Sequence, residues 1–230
     1  MAARTWKRRL GFAALALAAL AALAGALYAY ALQWRPSIEK YPLQGVDVSH
    51  HQGEIHWPSV RASGAEFAYI KATEGADHRD TRFADNWQQS EAAGLKHGAY
   101  HFYTLCRPAI DQATNFIATV PREELALPPA VDLEFGGNCA ARPSRETLIA
   151  DLTSFLQMIE AHAGKPAILY VTSEFEDAYA VSSGIHRTLW LRRLFLPPNY
   201  GERPWVMWQA SSVRRIEGIE GPVDWNVVRP

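Results

Sequence analysis

A chain of 230 residues, 48% hydrophobic and 20% charged, is long enough to bury one sizeable core and too apolar for a disordered or fibrous class. Its formal charge of −1 hides an asymmetry: Arg4, Lys7, Arg8 and Arg9 precede the first acid, Glu39, and removing those four from 23 Lys and Arg leaves 19 against 24 Asp and Glu, a body of about −5. A mildly acidic body argues against a nucleic-acid partner, which needs a basic face to displace counterions.

Behind the basic cluster, residues 10–32 carry no charged or strongly polar side chain and are mostly Ala and Leu. That length can cross a bilayer, whereas the apolar region of a cleaved signal peptide runs roughly 7–15 residues. An uncleaved anchor is therefore expected, with residues 1–32 forming a cytoplasmic basic tip and a transmembrane helix. Ala24-Gly25-Ala26 and Ala29-Tyr30-Ala31 keep signal cleavage and secretion open as the alternative. Cations on the N-terminal side stay in the cytoplasm, and Tyr28, Tyr30 and Trp34 suit the opposite interface. The chain is then expected to cross the inner membrane once, with its body in the periplasm or otherwise extracytoplasmic.

Residues 33–44 include Pro36 and Pro42, lack apolar periodicity and read as a linker. From there to the end of the chain, taken as one domain over 45–230, short apolar runs predict eight strands at 45–49, 67–72, 98–103, 130–135, 167–172, 188–191, 205–209 and 223–227. Helical patterns fit at 57–63, 82–93, 109–118, 145–163 and 173–183, and the last three strands leave no room for full helices between them. Strands alternating with helices imply an α/β fold with a parallel sheet, and eight strands permit closure into an irregular (β/α) barrel.

The first strand carries Asp47 between Val46 and Val48 and runs into Ser49-His50-His51-Gln52-Gly53. Side chains alternate faces along a strand, so Asp47 points away from the two valines. Just past the second strand, Glu74 reads either as a member of the same rim or as a turn residue. The fourth strand, Ala130-Val131-Asp132-Leu133-Glu134-Phe135, puts Asp132 and Glu134 on one face, and Gly136-Gly137 places them at its C-terminal end, where barrel active sites lie. The last strand repeats the pattern at Asp224, and first and last strands are neighbours in a closed barrel. Carboxylates that crowd raise one another's pKa, so one can remain a proton donor near neutral pH. Cleaving a glycosidic bond needs that: an acid protonates the leaving oxygen while a second group stabilises the developing cation.

Aromatic faces cover sugar rings, and Tyr103, Tyr170, Trp208 and Trp225 fall at predicted strand ends, where core packing is an equally good use for each. His50, His51, His97 and His101 match no familiar zinc spacing, so no metal is expected, and His50 or His51 is read as a hydrogen-bonding neighbour of Asp47. Cys106 and Cys139 lie a few residues past consecutive strands on one rim, and in an exported domain they are expected to pair. No cofactor is implied.

Gly45-Val46-Asp47-Val48-Ser49-His50-His51-Gln52-Gly53, Tyr69-Ile70-Lys71-Ala72-Thr73-Glu74-Gly75, Gly98-Ala99-Tyr100-His101-Phe102-Tyr103, Val131-Asp132-Leu133-Glu134, Trp208-Gln209 and Val223-Asp224-Trp225-Asn226 together resemble the ordered motifs of the family-25 glycoside hydrolases, the Chalaropsis-type lysozymes. The resemblance covers residues 45–228. It implies a peptidoglycan hydrolase cleaving the β-1,4 bond between N-acetylmuramic acid and N-acetylglucosamine. It further implies Glu134 as general acid, Asp132 as the residue that orients the 2-acetamido group or steadies an oxazolinium-like species in substrate-assisted catalysis, and Asp47 and Asp224 lining the cleavage site. Tyr103 and Trp208 match motif positions and are the first choices for the glycan groove, with Tyr170 and Glu74 beside them. The expected partners are peptidoglycan glycan strands and, through residues 10–32, a membrane; the expected state is a monomer. A barrel hydrolase of another N-acetylglucosamine polymer, or a binding module without catalysis, are the alternatives.

Overall fold

The structure, a computed structural model, describes residues 2–230, and of residues 2–5, 7–10 and 13 the backbone alone, so the side chains of Arg4, Lys7, Arg8 and Arg9 lie outside the described residues. The chain divides into two compact units, one ending at Trp34 and the other spanning Arg35–Pro230. The first is a single helix, α1 (Ala2–Gln33), rich in Ala and Leu, strong helix formers, and uninterrupted by proline. Its portion Ala14–Gln33 is long and apolar enough to cross a membrane, and none of it is buried.

The second unit runs β1 (Gln44–Val48), α2 (Trp57–Ala62), β2 (Phe67–Glu74), β3 (His78–Arg79), α3 (Phe83–Ala92), β4 (Lys96–Phe102), α4 (Ala109–Thr119), β5 (Ala130–Leu133), α5 (Arg145–Ala163), β6 (Ile168–Val171), α6 (Ser173–Tyr179), α7 (Val181–Gly184), β7 (Thr188–Arg192), β8 (Met207–Arg214) and β9 (Val223–Val228). Among the described residues these strands form one sheet in the order β1-β9-β8-β7-β6-β5-β4-β2, closed by β1 pairing β2, with β3 a short hairpin partner of β2. The result is an α/β fold with an eight-stranded barrel.

Of the eight barrel strands, one departs from the parallel arrangement that the alternating pattern implies: β9 runs antiparallel to both β1 and β8. The cause is chain length. Residues 215–222, which join β8 to β9, are fewer than the dozen or so that a parallel crossover needs. The reversal fixes where Asp224 lies. As the second residue of β9 it would be at the far end of a parallel strand, but here it pairs with Asp47 near the C-terminal end of β1.

The barrel interior is graded along its axis. At one end Phe67, Tyr69, Ala130, Ile168, Tyr170, Trp190 and Met207 form an apolar plug, with Leu43, Tyr100, Leu127 and Val228 packed against it. Beyond the plug the inward side chains become charged. The outward set, including Val46, Ile70, Val131, Leu133, Leu169 and Leu191, is fully buried.

Two local expectations are revised. Of the stretch read as a linker, residues 36–44 are packed on the barrel: Tyr41 is buried, its ring lies 5.8 Å from Trp208 and 6.3 Å from Trp205, and Gln44 Nε2 donates to the carbonyls of Pro36 and Tyr41. The helix expected at 173–183 is broken at Ala180, which adopts φ 44°. The buried Glu176 spans the break, its carboxylate accepting from both the backbone N–H and the hydroxyl of Ser182 in the second piece, α7.

Candidate active site

At the charged end of the barrel, Asp47, Gln52, Tyr100, Asp132, Glu134 and Asp224 line two adjoining cavities of about 380 and 340 Å³. They form the divide between two lobes of one groove. Tyr170, Trp190, Arg192, Gln209, Ser212 and Pro222 wall the first lobe. Ser49, His51, Lys71, Glu74, Phe102, Gly136 and Gly137 wall the second. Thus Asp47, Asp132, Glu134, Asp224, Tyr170 and Glu74, named from the sequence, are all brought to this groove.

Each acid arrives by a different local device. Asp47 is held by the barrel: its Oδ2 accepts from Gln209 Nε2 at 3.0 Å and Asn226 Nδ2 at 2.7 Å. Those amides are fixed in turn, Gln209 Oε1 accepting from Tyr170 O–H at 3.0 Å and Asn226 Oδ1 from Trp190 Nε1 at 2.9 Å. Glu134 follows the last residue of β5, and Gly137, at φ 76°, turns the chain back so that Asn138 Nδ2 donates to the Glu134 carbonyl at 3.0 Å and to the Tyr103 carbonyl at 2.9 Å. The disulfide Cys106–Cys139, Cα atoms 6.3 Å apart, ties the same two rim loops together. Asp132 is half-buried, and its Oδ1 is buried with no hydrogen-bond partner.

Burial is the largest influence on all four carboxyls and raises each above its ordinary range. For Asp132, the charges of Glu134 and Asp47 add to burial against Lys71, and the result is well above normal. Asp224 is likewise far raised, with Asp47 adding and Arg192 opposing. In Glu134, burial and Asp47 outweigh the pull of Arg192 and Lys71. Asp47 is raised despite its bonds to Asn226 and Gln209. The cluster therefore holds protons at a pH where isolated acids have lost them, and those protons belong to the group rather than to single residues.

Two residues expected in the groove are elsewhere. Tyr103 is 2% exposed and packs edge-on against Phe155 of α5 at 5.4 Å. Alternation along β4 sends Tyr100 and Phe102 inward and leaves Tyr103 on the helix side with His101. Trp208 is equally buried and donates its Nε1–H to the Arg193 carbonyl at 2.6 Å, because its neighbour Gln209 takes the inward position. Nor do the histidines meet Asp47: His50 bonds Asp80 through its backbone N–H at 2.9 Å and its Nδ1 at 2.8 Å, and His51 lines the second lobe.

Sequence reading missed the cations. Lys71, paired with Glu74 at 2.6 Å, and Arg192 face the acids from β2 and β7. Arg192 was legible in principle, since Trp190 and Arg192 share a parity opposite to Leu189 and Leu191 at the C-terminal end of a predicted strand.

Such a groove, with acids at its divide and aromatic and cationic walls, suits an elongated polar polymer cleaved by proton transfer. Comparison with known proteins agrees. The family model "Glycosyl hydrolases family 25" matches residues 46–219. The chain is 34% identical over 194 residues, 81% of its length and 70% of the relative's, to an Escherichia coli protein named "Uncharacterized protein YegX". It is 31% identical to "Lysozyme M1" of Streptomyces globisporus, across 80% of this chain and 67% of that one. The solved structure of a family 25 glycosyl hydrolase from Bacillus anthracis superposes with a TM-score of 0.77 at 34% identity, covering 84% of this chain and 91% of that one. By fold, groove and sequence, the chain belongs to glycosyl hydrolases family 25 and is a glycosidase.

Proposed function

We propose that this glycosidase is an N-acetylmuramidase that cleaves the β-1,4 bond between N-acetylmuramic acid and N-acetylglucosamine in peptidoglycan. The observation that carries the reading is the pairing of Glu134, a half-buried acid with a raised pKa, with Asp132, whose buried Oδ1 lacks a partner at the same divide. A buried acceptor without a donor is costly, and the N–H of a substrate's 2-acetamido group supplies one. Glu134 donates its proton to the glycosidic oxygen as the C1–O bond breaks. The acetamido oxygen, oriented through Asp132, bonds to C1 and spreads the positive charge over an oxazolinium ring. Water then attacks C1, the bond from C1 to the acetamido oxygen breaks and the acetamido group is regenerated, while the Glu134 carboxylate takes the water's proton and is restored as the acid. Asp47 adds to the proton affinity of Glu134 and with Asp224 lines the cleaved bond, Tyr170 lies beneath a sugar ring, and Glu74 and Lys71 border the second lobe.

The same reading makes α1 a signal-anchor through residues 10–32 and puts the catalytic unit, residues 45–230, in the periplasm, acting as a monomer. To test the function, the full chain in detergent is incubated with purified peptidoglycan and the soluble products are analysed by mass spectrometry. Fragments with N-acetylmuramic acid at the reducing end are expected. Reducing N-acetylglucosamine ends, turnover of chitin in place of peptidoglycan, or binding without any release of fragments would each overturn the proposal.

Arg192 supplies a sharper check. Its charge lowers the pKa of Glu134, so Arg192→Gln raises that pKa further. Turnover is lost where Glu134 gives up its proton, so the alkaline limb of the kcat/KM profile should move to higher pH in the variant, whatever happens to the maximum.

A further inference from the structure

We propose that Glu91, His97 and Glu123 form a binding site for a zinc-type divalent ion at the end of the barrel away from the groove. The three come from separate elements: Glu91 from the last turn of α3, His97 from the start of β4, and Glu123 from the segment between α4 and β5. One ligand atom from each lies within 4.8 Å of the others. The decisive group is His97. It is 4% exposed, yet its Nε2 is buried without a hydrogen-bond partner. An unsatisfied buried nitrogen is costly and calls for an explanation. His101, four residues along the same strand, makes the contrast: its Nδ1 meets Thr73 Oγ1 at 2.7 Å and its Nε2 meets Gln112 Oε1 at 3.1 Å.

The spacing suits a bridging metal better than a direct hydrogen bond. His97 Nε2 lies 3.4 Å from Glu123 Oε2, outside good hydrogen-bond geometry. Two ligand atoms bound at the distances usual for tetrahedral zinc are separated by about 3.3 Å. Both groups are held for the purpose. Glu123 Oε1 accepts from Trp87 Nε1 at 3.0 Å, and the Trp87 ring meets the His97 ring edge-on at 4.3 Å. Bonds to the far side of a ligating carboxylate orient it in metal sites. Glu91 is exposed, so its side chain is free to swing in as third ligand, with water as the fourth. One imidazole and two carboxylates favour zinc over magnesium or calcium, which prefer all-oxygen shells. No sequence spacing announces the site, because Glu91 and Glu123 reach His97 only through the fold. A bound ion would pin the turn between α3 and β4 to the segment leaving α4.

The test is isothermal titration of the untagged, metal-stripped full chain in detergent with ZnCl2, alongside its thermal melt. One Zn²⁺ per chain is expected, with a melting point that rises as zinc is added. Glu91→Gln, at an exposed position that leaves folding undisturbed, should weaken binding by roughly tenfold or more, and His97→Gln should abolish it. MgCl2 should not substitute. Absence of zinc binding at millimolar concentration, equal affinity in wild type and Glu91→Gln, or loss of the ion in Asp132→Asn with retention in Glu91→Gln would overturn the assignment.

Discussion

Glu134→Gln should fold and bind glycan like the wild type while its turnover of peptidoglycan falls by on the order of 10²–10⁴-fold or more. The amide keeps the shape and hydrogen-bonding capacity of the acid but has no proton to give. It also removes a negative charge from a crowded site, since Glu134 is the first charge after burial to raise Asp132. Its melting temperature should therefore be no lower than that of the parent. The paired measurement is fragment release from peptidoglycan together with calorimetry and sedimentation binding to insoluble walls. Full activity in a folded Glu134→Gln protein would remove Glu134 as general acid. A variant that is inactive but no longer binds would leave binding, rather than proton transfer, as its role.

Opening the Cys106–Cys139 bridge should produce the largest loss of stability. The two cysteines are 33 residues apart in sequence, and releasing a loop of that size from its cross-link costs roughly 3–4 kcal/mol. At about 2–4 °C per kcal/mol for a unit of this size, melting should drop by roughly 6–16 °C. Differential scanning calorimetry of Cys106→Ser/Cys139→Ser against the parent measures it, and an unchanged melting point would show that the bridge constrains little. Activity at low temperature should fall as well. The bridge adjoins Asn138, which anchors the Glu134 backbone and also accepts from the Leu105 N–H at 3.0 Å.

The acids were legible because strand alternation and flanking glycines are local signals. Asp47, Asp132 and Glu134 each lie between outward apolar residues at the end of a short apolar run, and no tertiary information is needed to see them. Asp224 was found by the same alternation, but its height on the rim depends on the reversed direction of β9, which only the shortness of residues 215–222 foretells. Tyr103 and Trp208 show the opposite failure. A match to motif positions does not say which face a side chain takes, and parity does: Tyr100 and Gln209, on the opposite face, hold the inward positions. Asn226 and Gln209 escaped notice for another reason, since an amide acquires meaning only from the Asp47 oxygen it reaches across 179 or 162 residues. The break at Ala180 has no glycine or proline to mark it, and the Glu176–Ser182 bonds that span it join residues whose pairing only the fold reveals.

The pairing of β1 with β9 sets a condition on when this enzyme can act. Asp47 belongs to the first strand to be synthesised, while Asp224 and Asn226, its register partner and its hydrogen-bond donor, belong to the last. A chain still emerging has neither the wall of the groove nor the seam that shuts the barrel. Its early acids would meet water instead of one another, and their proton affinities would revert toward those of free side chains. Such long-range closure is also the slow kind, since loop entropy is spent before the contacts that reward it form. A glycosidase domain built this way has a complete groove only once its final strand has docked beside its first.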